Sequence, residues 1–332
     1  MNKFVVAGLA ALCLAPIVLP MVFATADEFP VWAYPVNPQA ASGPQATSSP
    51  QAAPGPQAPK DAGTLFHVPD SEVALTRAQI EGGDAVPDWH PNDHPAMPGI
   101  VKNGRRDVRA CAYCHQPSGV GRPENASLAG LTENYIKEQL ANFKSGGRLG
   151  AEPKRTPQNL MNQIAANLSE EEATEAAKYF SSLKLGSFVK IVETDVVPKT
   201  FVSGGMLAKS PEGGMEPIGH RIIEVPEDLQ RAENRDPRTP FIAYVPKGSL
   251  QKGKPLVTGG AMPCITCHGP DLHGLGDVPH IAGRSPSYIV RQLYDIQRGK
   301  RSGAVAPMQQ VVVGLELDDM IAIAAYVASR EP

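Results

Sequence analysis

Two short runs carry the chemistry of this chain: Cys111-Ala112-Tyr113-Cys114-His115 and Cys264-Ile265-Thr266-Cys267-His268. In each, two thiols stand one helical turn apart and an imidazole follows the second directly. That spacing lets both sulfurs add to the two vinyl groups on one edge of a haem while the histidine turns under the ring to ligate iron. A redox disulfide or a zinc site also uses a C-x-x-C pair, but neither calls for a histidine after both pairs. With five cysteines and eight histidines in 332 residues, a chance match is expected roughly 0.002 times per chain. Two accidental matches are negligible.

The similarity extends beyond the motifs. They begin 153 residues apart, and at that offset Pro117 matches Pro270, Gly121 matches Gly274 and Ala129-Gly130 matches Ala282-Gly283. Tyr135-Ile136, Gln139-Leu140, Gly146 and Arg148 likewise match Tyr288-Ile289, Gln292-Leu293, Gly299 and Arg301. After a six-residue length difference, Met161, Leu168 and Tyr179 match Met308, Leu315 and Tyr326. One unit has been duplicated.

Each unit reads as helices. Thr132 and Ser285-Pro286 are start signals, with Ser/Thr as N-cap and Pro in the first turn. Tyr135, Ile136, Leu140 and Phe143 share one face, as do Tyr288, Ile289, Leu293 and Ile296. Gly146 and Gly299 end these helices. A last helix is expected to begin at each methionine, with Ser169-x-x-Glu172 as a capping box in the first unit and Met320, Ile321, Ala324 and Val327 as the apolar stripe in the second. A short helix over 249–258 precedes the second motif, whereas Pro95, Pro98 and Gly104 break up its counterpart.

A His-ligated haem needs a second axial ligand or an open site. Met161 and Met308 lie 46 and 40 residues after their histidines. Their shared register points to thioether ligation, which favours Fe(II) and raises the reduction potential. The metal ligands expected are therefore His115, Met161, His268 and Met308. Met97, Met206, Met215, Met262 and His220 fall outside the matched positions. The second ring nitrogen of each histidine needs an acceptor, and the backbone carbonyls of Pro279 and, in register, Ala126 are the candidates.

On these motifs each unit resembles a class I cytochrome c, and the pair resembles the tandem diheme cytochromes of the c-four type. The shared pattern is C-x-x-C-H, A-G, Y-x-x-x-Q-L, G-x-R, Met and a final A-x-Y helix, over roughly 108–183 and 249–330. The resemblance implies a mainly α fold, two covalently bound haem c groups, His/Met ligation and electron transfer outside the cytoplasm. Two departures stand out. The first unit lacks a clear leading helix, which predicts a more exposed first haem. The connection between the units is long.

That connection, 187–248, carries three strand-like runs: 188–192, 221–225 and 241–245, separated by Pro and Gly. It is expected to pack as a spacer across both haem domains. Upstream, Lys3 and an apolar stretch over 4–23 precede Ala24-Thr25-Ala26, the pattern of a cleaved export signal or an uncleaved membrane anchor. Cys13 lies inside this stretch, and Leu12 is too large for a lipoprotein cleavage box. Residues 35–60 are rich in Pro, Ala, Gln and Ser and read as a disordered linker. The division expected is signal or anchor 1–26, linker 27–62, extension 63–107, cytochrome domain 108–186, connection 187–248 and cytochrome domain 249–332.

Composition narrows the function. Net charge is −3, with 31 Lys and Arg against 34 Asp and Glu, which argues against nucleic-acid binding by bulk positive charge. Aromatic residues make up only 6%, thin for two cores, so something other than aromatic side chains is expected to fill them. Arg284, Arg291, Arg298, Lys300 and Arg301 read as a solvated face, with a docking surface or a propionate contact by Arg148 and Arg301 as the sharper readings. Trp89-His90-Pro91-Asn92-Asp93-His94-Pro95 reads as a loop wrapping the first domain rather than a metal site. Paired methionines favour an electron carrier with redox-protein partners such as a dehydrogenase, a quinol-oxidising complex or a terminal oxidase. The competing reading is a diheme peroxidase or sulfur-compound dehydrogenase with one open haem.

Overall fold

The computed structural model describes residues 29–37, 63–83, 85–260 and 262–332. Helices make up both repeats, and most strands lie between them. Ahead of the first motif come a minimal strand pair, β1 (Leu65–Phe66) and β2 (Leu75–Thr76), then α1 (Arg77–Glu81) and α2 (Gly99–Lys102). The first repeat follows as α3 (Cys111–His115), α4 (Glu133–Ser145), α5 (Thr156–Asn167) and α6 (Glu170–Ser181).

Local chemistry fixes these ends. Thr132 Oγ1 accepts from the Tyr135 amide at the start of α4, and Gly146 closes it in the left-handed region at φ 75°, where a side chain would be strained. Ser169 and Glu172 form the reciprocal capping box of α6. Helix α4 buries Ile136, Gln139 and Phe143 and packs against α5 and α6.

The connection is richer in strands than its three apolar runs. Strands β3 (Val189–Thr194), β8 (Ile223–Pro226) and β9 (Phe241–Pro246) form one sheet in the order β3-β9-β8. Strand β9 pairs parallel with β3, Val189 opposite Phe241, and antiparallel with β8, Ile223 opposite Tyr244. Two further antiparallel pairs went unrecognised in the sequence: β4 (Val196–Pro198) with β7 (Met215–Pro217), and β5 (Thr200–Ser203) with β6 (Met206–Lys209). Helix α7 (Leu229–Glu233) lies between β8 and β9.

The second repeat comprises α8 (Ser249–Thr258), α9 (Ile265–His268), α10 (Pro286–Gln297), α11 (Ala306–Val312) and α12 (Leu317–Ala328). Helices α8 and α12 cross at Gly253, where an added Cβ would run into the Ala322 carbonyl. Ser285 caps α10 and Pro286 opens it.

Several expectations change. Each methionine sits inside a short helix of its own, α5 or α11, that precedes the last helix. Proline in the first turn of each starts it. Residues 29–37, counted within the linker, are packed: Tyr34 is buried, and its hydroxyl donates to Asp295 Oδ1 at 2.7 Å. Arg284 and Arg291 are not a solvated face but lie buried, donating to the Ser127 and Ala129 carbonyls and to the Ala33 carbonyl. Residues 1–28 and 38–62 lie outside the described residues, so the export segment with Cys13 and the linker sequence 38–62 do too. No helix among the described residues is long and apolar enough to cross a membrane.

One cluster of buried apolar residues runs from Val101 and Phe180 through Phe188 and Phe241 to Leu293 and Ile321. Small residues dominate the inner faces of the last helices, Ala176 and Ala177 in α6 and Ala322, Ala324 and Ala325 in α12. The last helices border an open space, Ala176 and Phe180 from α6 and Ile323 and Val327 from α12.

Candidate haem-binding site

That space is one continuous cavity of ≈ 860 Å³. Cys111, Cys114, His115 and Met161 line it from the first repeat, and Cys264, Cys267, His268 and Met308 from the second. The structure thus brings together every residue singled out from the motifs and the methionine register. Apolar walls come from Leu131, Leu140 and Phe143 on one side and Leu293, Ile296 and Ile323 on the other.

The two histidines are held alike. His115 Nδ1 lies 2.8 Å from the Ala126 carbonyl, and His268 Nδ1 lies 2.8 Å from the Pro279 carbonyl. A carbonyl only accepts, so Nδ1 carries the proton and Nε2 keeps its lone pair for a metal. Burial pushes both imidazole pKa values below the ordinary value, which holds the rings neutral. Burial also raises the Cys111 thiol to about 12 and raises Cys114, so neither is a free reactive thiolate. Among the described residues, no group of three or more His, Cys, Asp or Glu could hold a metal ion. In the His90–His94 loop both imidazoles face carboxylates within hydrogen-bond distance. His90 meets Asp236 at 3.1 Å and His94 meets Asp88 at 3.1 Å.

Between the repeats the lining becomes cationic. Arg148 Nη1 and Arg301 Nη2 both donate to Gln139 Oε1 at 2.8 Å, while Arg148 Nη2 and Arg301 Nη1 donate to Gln292 Oε1 at 3.1 and 3.0 Å. The backbones of Arg148 and Arg301 bridge beside this ring. Arg122, Arg155, Arg284 and Arg291 also line the cavity, and these four and Arg148 are buried. The buried acids in the lining are Glu124 and Asp295. Arg122 Nε and Arg155 Nε are buried with no hydrogen-bond partner, and burial depresses Arg155 to about 9. A buried excess of guanidinium calls for anions. The lining therefore fits a flat apolar group that carries carboxylates, which is the chemistry of haem with its propionates.

Comparison with known proteins agrees. Residues 101–184 match the family model Cytochrome c. Cytochrome c-552 of Acidithiobacillus ferridurans is 35% identical over 222 residues, covering 66% of this chain and 73% of that protein. Cytochrome c4 of Azotobacter vinelandii is 25% identical over 236 residues, 69% of this chain and 88% of its own length. The chain belongs to the cytochrome c4 family. A third relative, named thiosulfate dehydrogenase electron acceptor, from Thiomonas intermedia, is 27% identical over 228 residues, 68% of this chain and 80% of that protein. Membership makes this a c-type cytochrome of electron transfer with covalently bound haem.

The surroundings of the two motifs differ, and here an expectation is reversed. The first motif is the more covered. Tyr113, inside it, is buried, its hydroxyl donates to the Glu81 carbonyl at 2.9 Å, and Arg235 lies 3.9 Å from its ring centroid. In the second motif Thr266 and Cys267 are exposed. The missing leading helix is made good by α2, the extension and the connection, none of which the first motif's own sequence announces.

Proposed function

We propose that this chain is an exported, periplasmic diheme cytochrome that passes single electrons between redox proteins. One haem is held by Cys111, Cys114 and His115, the other by Cys264, Cys267 and His268, with Met161 and Met308 as the second axial ligands. The observation that carries this reading is the repeated placement of cysteines, carbonyl-held histidine and methionine around one cavity.

Haem iron, alternating between Fe(II) and Fe(III), supplies the one-electron chemistry when bound. The chain's own residues do the rest. The Ala126 and Pro279 carbonyls fix the tautomer and orientation of the two imidazoles. Leu131, Phe143, Leu293 and Ile323 exclude water and lower the local dielectric. Arg148 and Arg301, shared through Gln139 and Gln292, join the two repeats beside the cavity and would supply the cationic groups for the propionates of a bound haem. The relative's printed role as electron acceptor of a thiosulfate dehydrogenase supports a dehydrogenase as electron donor. A quinol-oxidising complex or a terminal oxidase is a further partner class. Residues 4–23 serve as a signal or remain as a tether.

Near-infrared magnetic circular dichroism of the oxidised holoprotein, with carbon monoxide added after reduction, tests this. Two low-spin His/Met haems that refuse carbon monoxide are expected. A five-coordinate or bis-His centre, or uptake of carbon monoxide, would move the reading to a diheme oxidoreductase.

A further inference from the structure

Arg284 takes no part in the ring of Gln139, Gln292, Arg148 and Arg301, yet it too crosses between the repeats. It is 4% exposed, and its three hydrogen-bond partners are all neutral carbonyls. Nε donates to the His280 carbonyl at 2.6 Å, Nη1 to that of Ser127 at 2.7 Å and Nη2 to that of Ala129 at 3.0 Å. Burial lowers the guanidinium only to about 10, so it stays charged at neutral pH. A buried cation held in this way is costly, and the choice of carbonyls says what it is for.

At the 153-residue offset Ser127 stands opposite His280, so two of the three acceptors are the same backbone carbonyl in the two repeats. Each comes one residue after a carbonyl that holds a haem histidine, Ala126 for His115 and Pro279 for His268. One planar fork thus grips the equivalent point of both acceptor loops. The loops also meet directly, since a Cβ added to Gly130 would lie 3.7 Å from His280 Nδ1. The position that matches Arg284 in the first repeat is Leu131. Unlike the Gln–Arg ring, this clamp is therefore made once and from one side.

We propose that Arg284 is a positioning residue for both haem sites at once, holding the two acceptor loops so that the Ala126 and Pro279 carbonyls keep their bonds to the imidazoles. A carbonyl held at the Nδ1 proton fixes the ring and raises its basicity as a ligand. A loop that drifts loses both effects, and a shared clamp makes the two histidines lose them together. Lysine does not replace arginine here, because an ammonium is a point charge without a planar fork to span two loops. The proposal rests on the assignment of His115 and His268 as haem ligands.

Proton NMR of the ferric holoprotein tests it, by following deuterium exchange of the two ligand-histidine Nδ1 protons among the lines shifted by paramagnetic iron. Exchange of these protons requires the acceptor loop to open. Arg284→Leu is expected to speed it at both histidines by about tenfold or more, the scale of one hydrogen bond to a charged group. Arg284→Lys, which keeps the charge and gives up the fork, should speed it at one histidine or both. Ser169→Ala, which removes the α6 cap and lowers stability away from both loops, should leave both rates as in wild type. Acceleration at a single histidine in Arg284→Leu, wild-type rates in Arg284→Lys, or equal acceleration by Ser169→Ala overturns the shared clamp. A wild type without two such histidine lines overturns the haem assignment itself, so the two failures are told apart.

Discussion

The ring formed by Gln139, Gln292, Arg148 and Arg301 allows a quantitative test of how the repeats are joined. Gln139→Leu keeps roughly the same volume and removes one oxygen that accepts from two guanidiniums at 2.8 Å. Gln139 and Arg148 are buried, so water cannot replace the lost bonds freely. Hydrogen bonds to charged groups contribute about 1.5–3 kcal/mol each, so two set an upper bound near 6 kcal/mol. Both arginines keep Gln292, and Arg148 also keeps Tyr288 at 2.9 Å. The net loss should therefore fall at about 2–4 kcal/mol. A double-mutant cycle with Arg301→Leu, followed by guanidinium chloride unfolding, isolates the bond that crosses between repeats. A coupling of about 1–2 kcal/mol is expected. Additivity to within about 0.4 kcal/mol would refute the argument, because sites that do not interact add to that accuracy.

Further outcomes follow from other contacts. Gly253→Ala forces a methyl into the Ala322 carbonyl at the α8–α12 crossing and should cost about 1–3 kcal/mol, read as a lowered thermal midpoint. Ser285→Ala removes both the α10 cap and a donor to buried Glu224 at 2.8 Å. It should cost more than Thr132→Ala, at about 1 kcal/mol, because the second bond lost there, from Thr132 Oγ1 to Asp277 Oδ1 at 3.1 Å, is exposed to water rather than buried; equal losses in denaturant unfolding would contradict this. Arg105 and the Ser169 amide hold the Glu172 carboxyl at about 2, below its unfolded value. The stability it contributes is complete above the ordinary Glu value and disappears as pH falls toward 2. The difference in thermal midpoint between wild type and Glu172→Gln should shrink over that window. Met161→Ala and Met308→Ala should each abolish the His/Met signature of one haem in the dichroism spectrum and open that haem to carbon monoxide.

What the sequence discloses is mostly local. Caps at Thr132, Ser169 and Ser285 and the stop at Gly146 depend on neighbours within four residues, and they mark helix ends closely. The carbonyl partners of the histidines were legible because the loop from motif to acceptor has the same length in both repeats. The separate methionine helices leave a local signal too, a proline in the first turn of each. The cover over the first motif is of another kind. Arg235 and Tyr113 are 122 residues apart, and nothing in either neighbourhood specifies the other. The buried arginines mislead for the same reason: a run of cations reads as a wet surface unless its distant carbonyl acceptors are known.

The reciprocity of the Gln–Arg ring has a consequence for how the molecule can change. Gln139 serves Arg301 while Gln292 serves Arg148, which is the signature of an isologous contact about a two-fold axis, as in a homodimer. In a true homodimer every substitution appears twice, and both outer faces must stay alike. Here the two halves are one polypeptide. The axis can keep its matched pairs while Arg109, Tyr113 and Arg122 part company with Met262, Thr266 and Leu275. A symmetric joint thus holds together two ends that are free to differ, and a direction can be imposed on a device whose core has none.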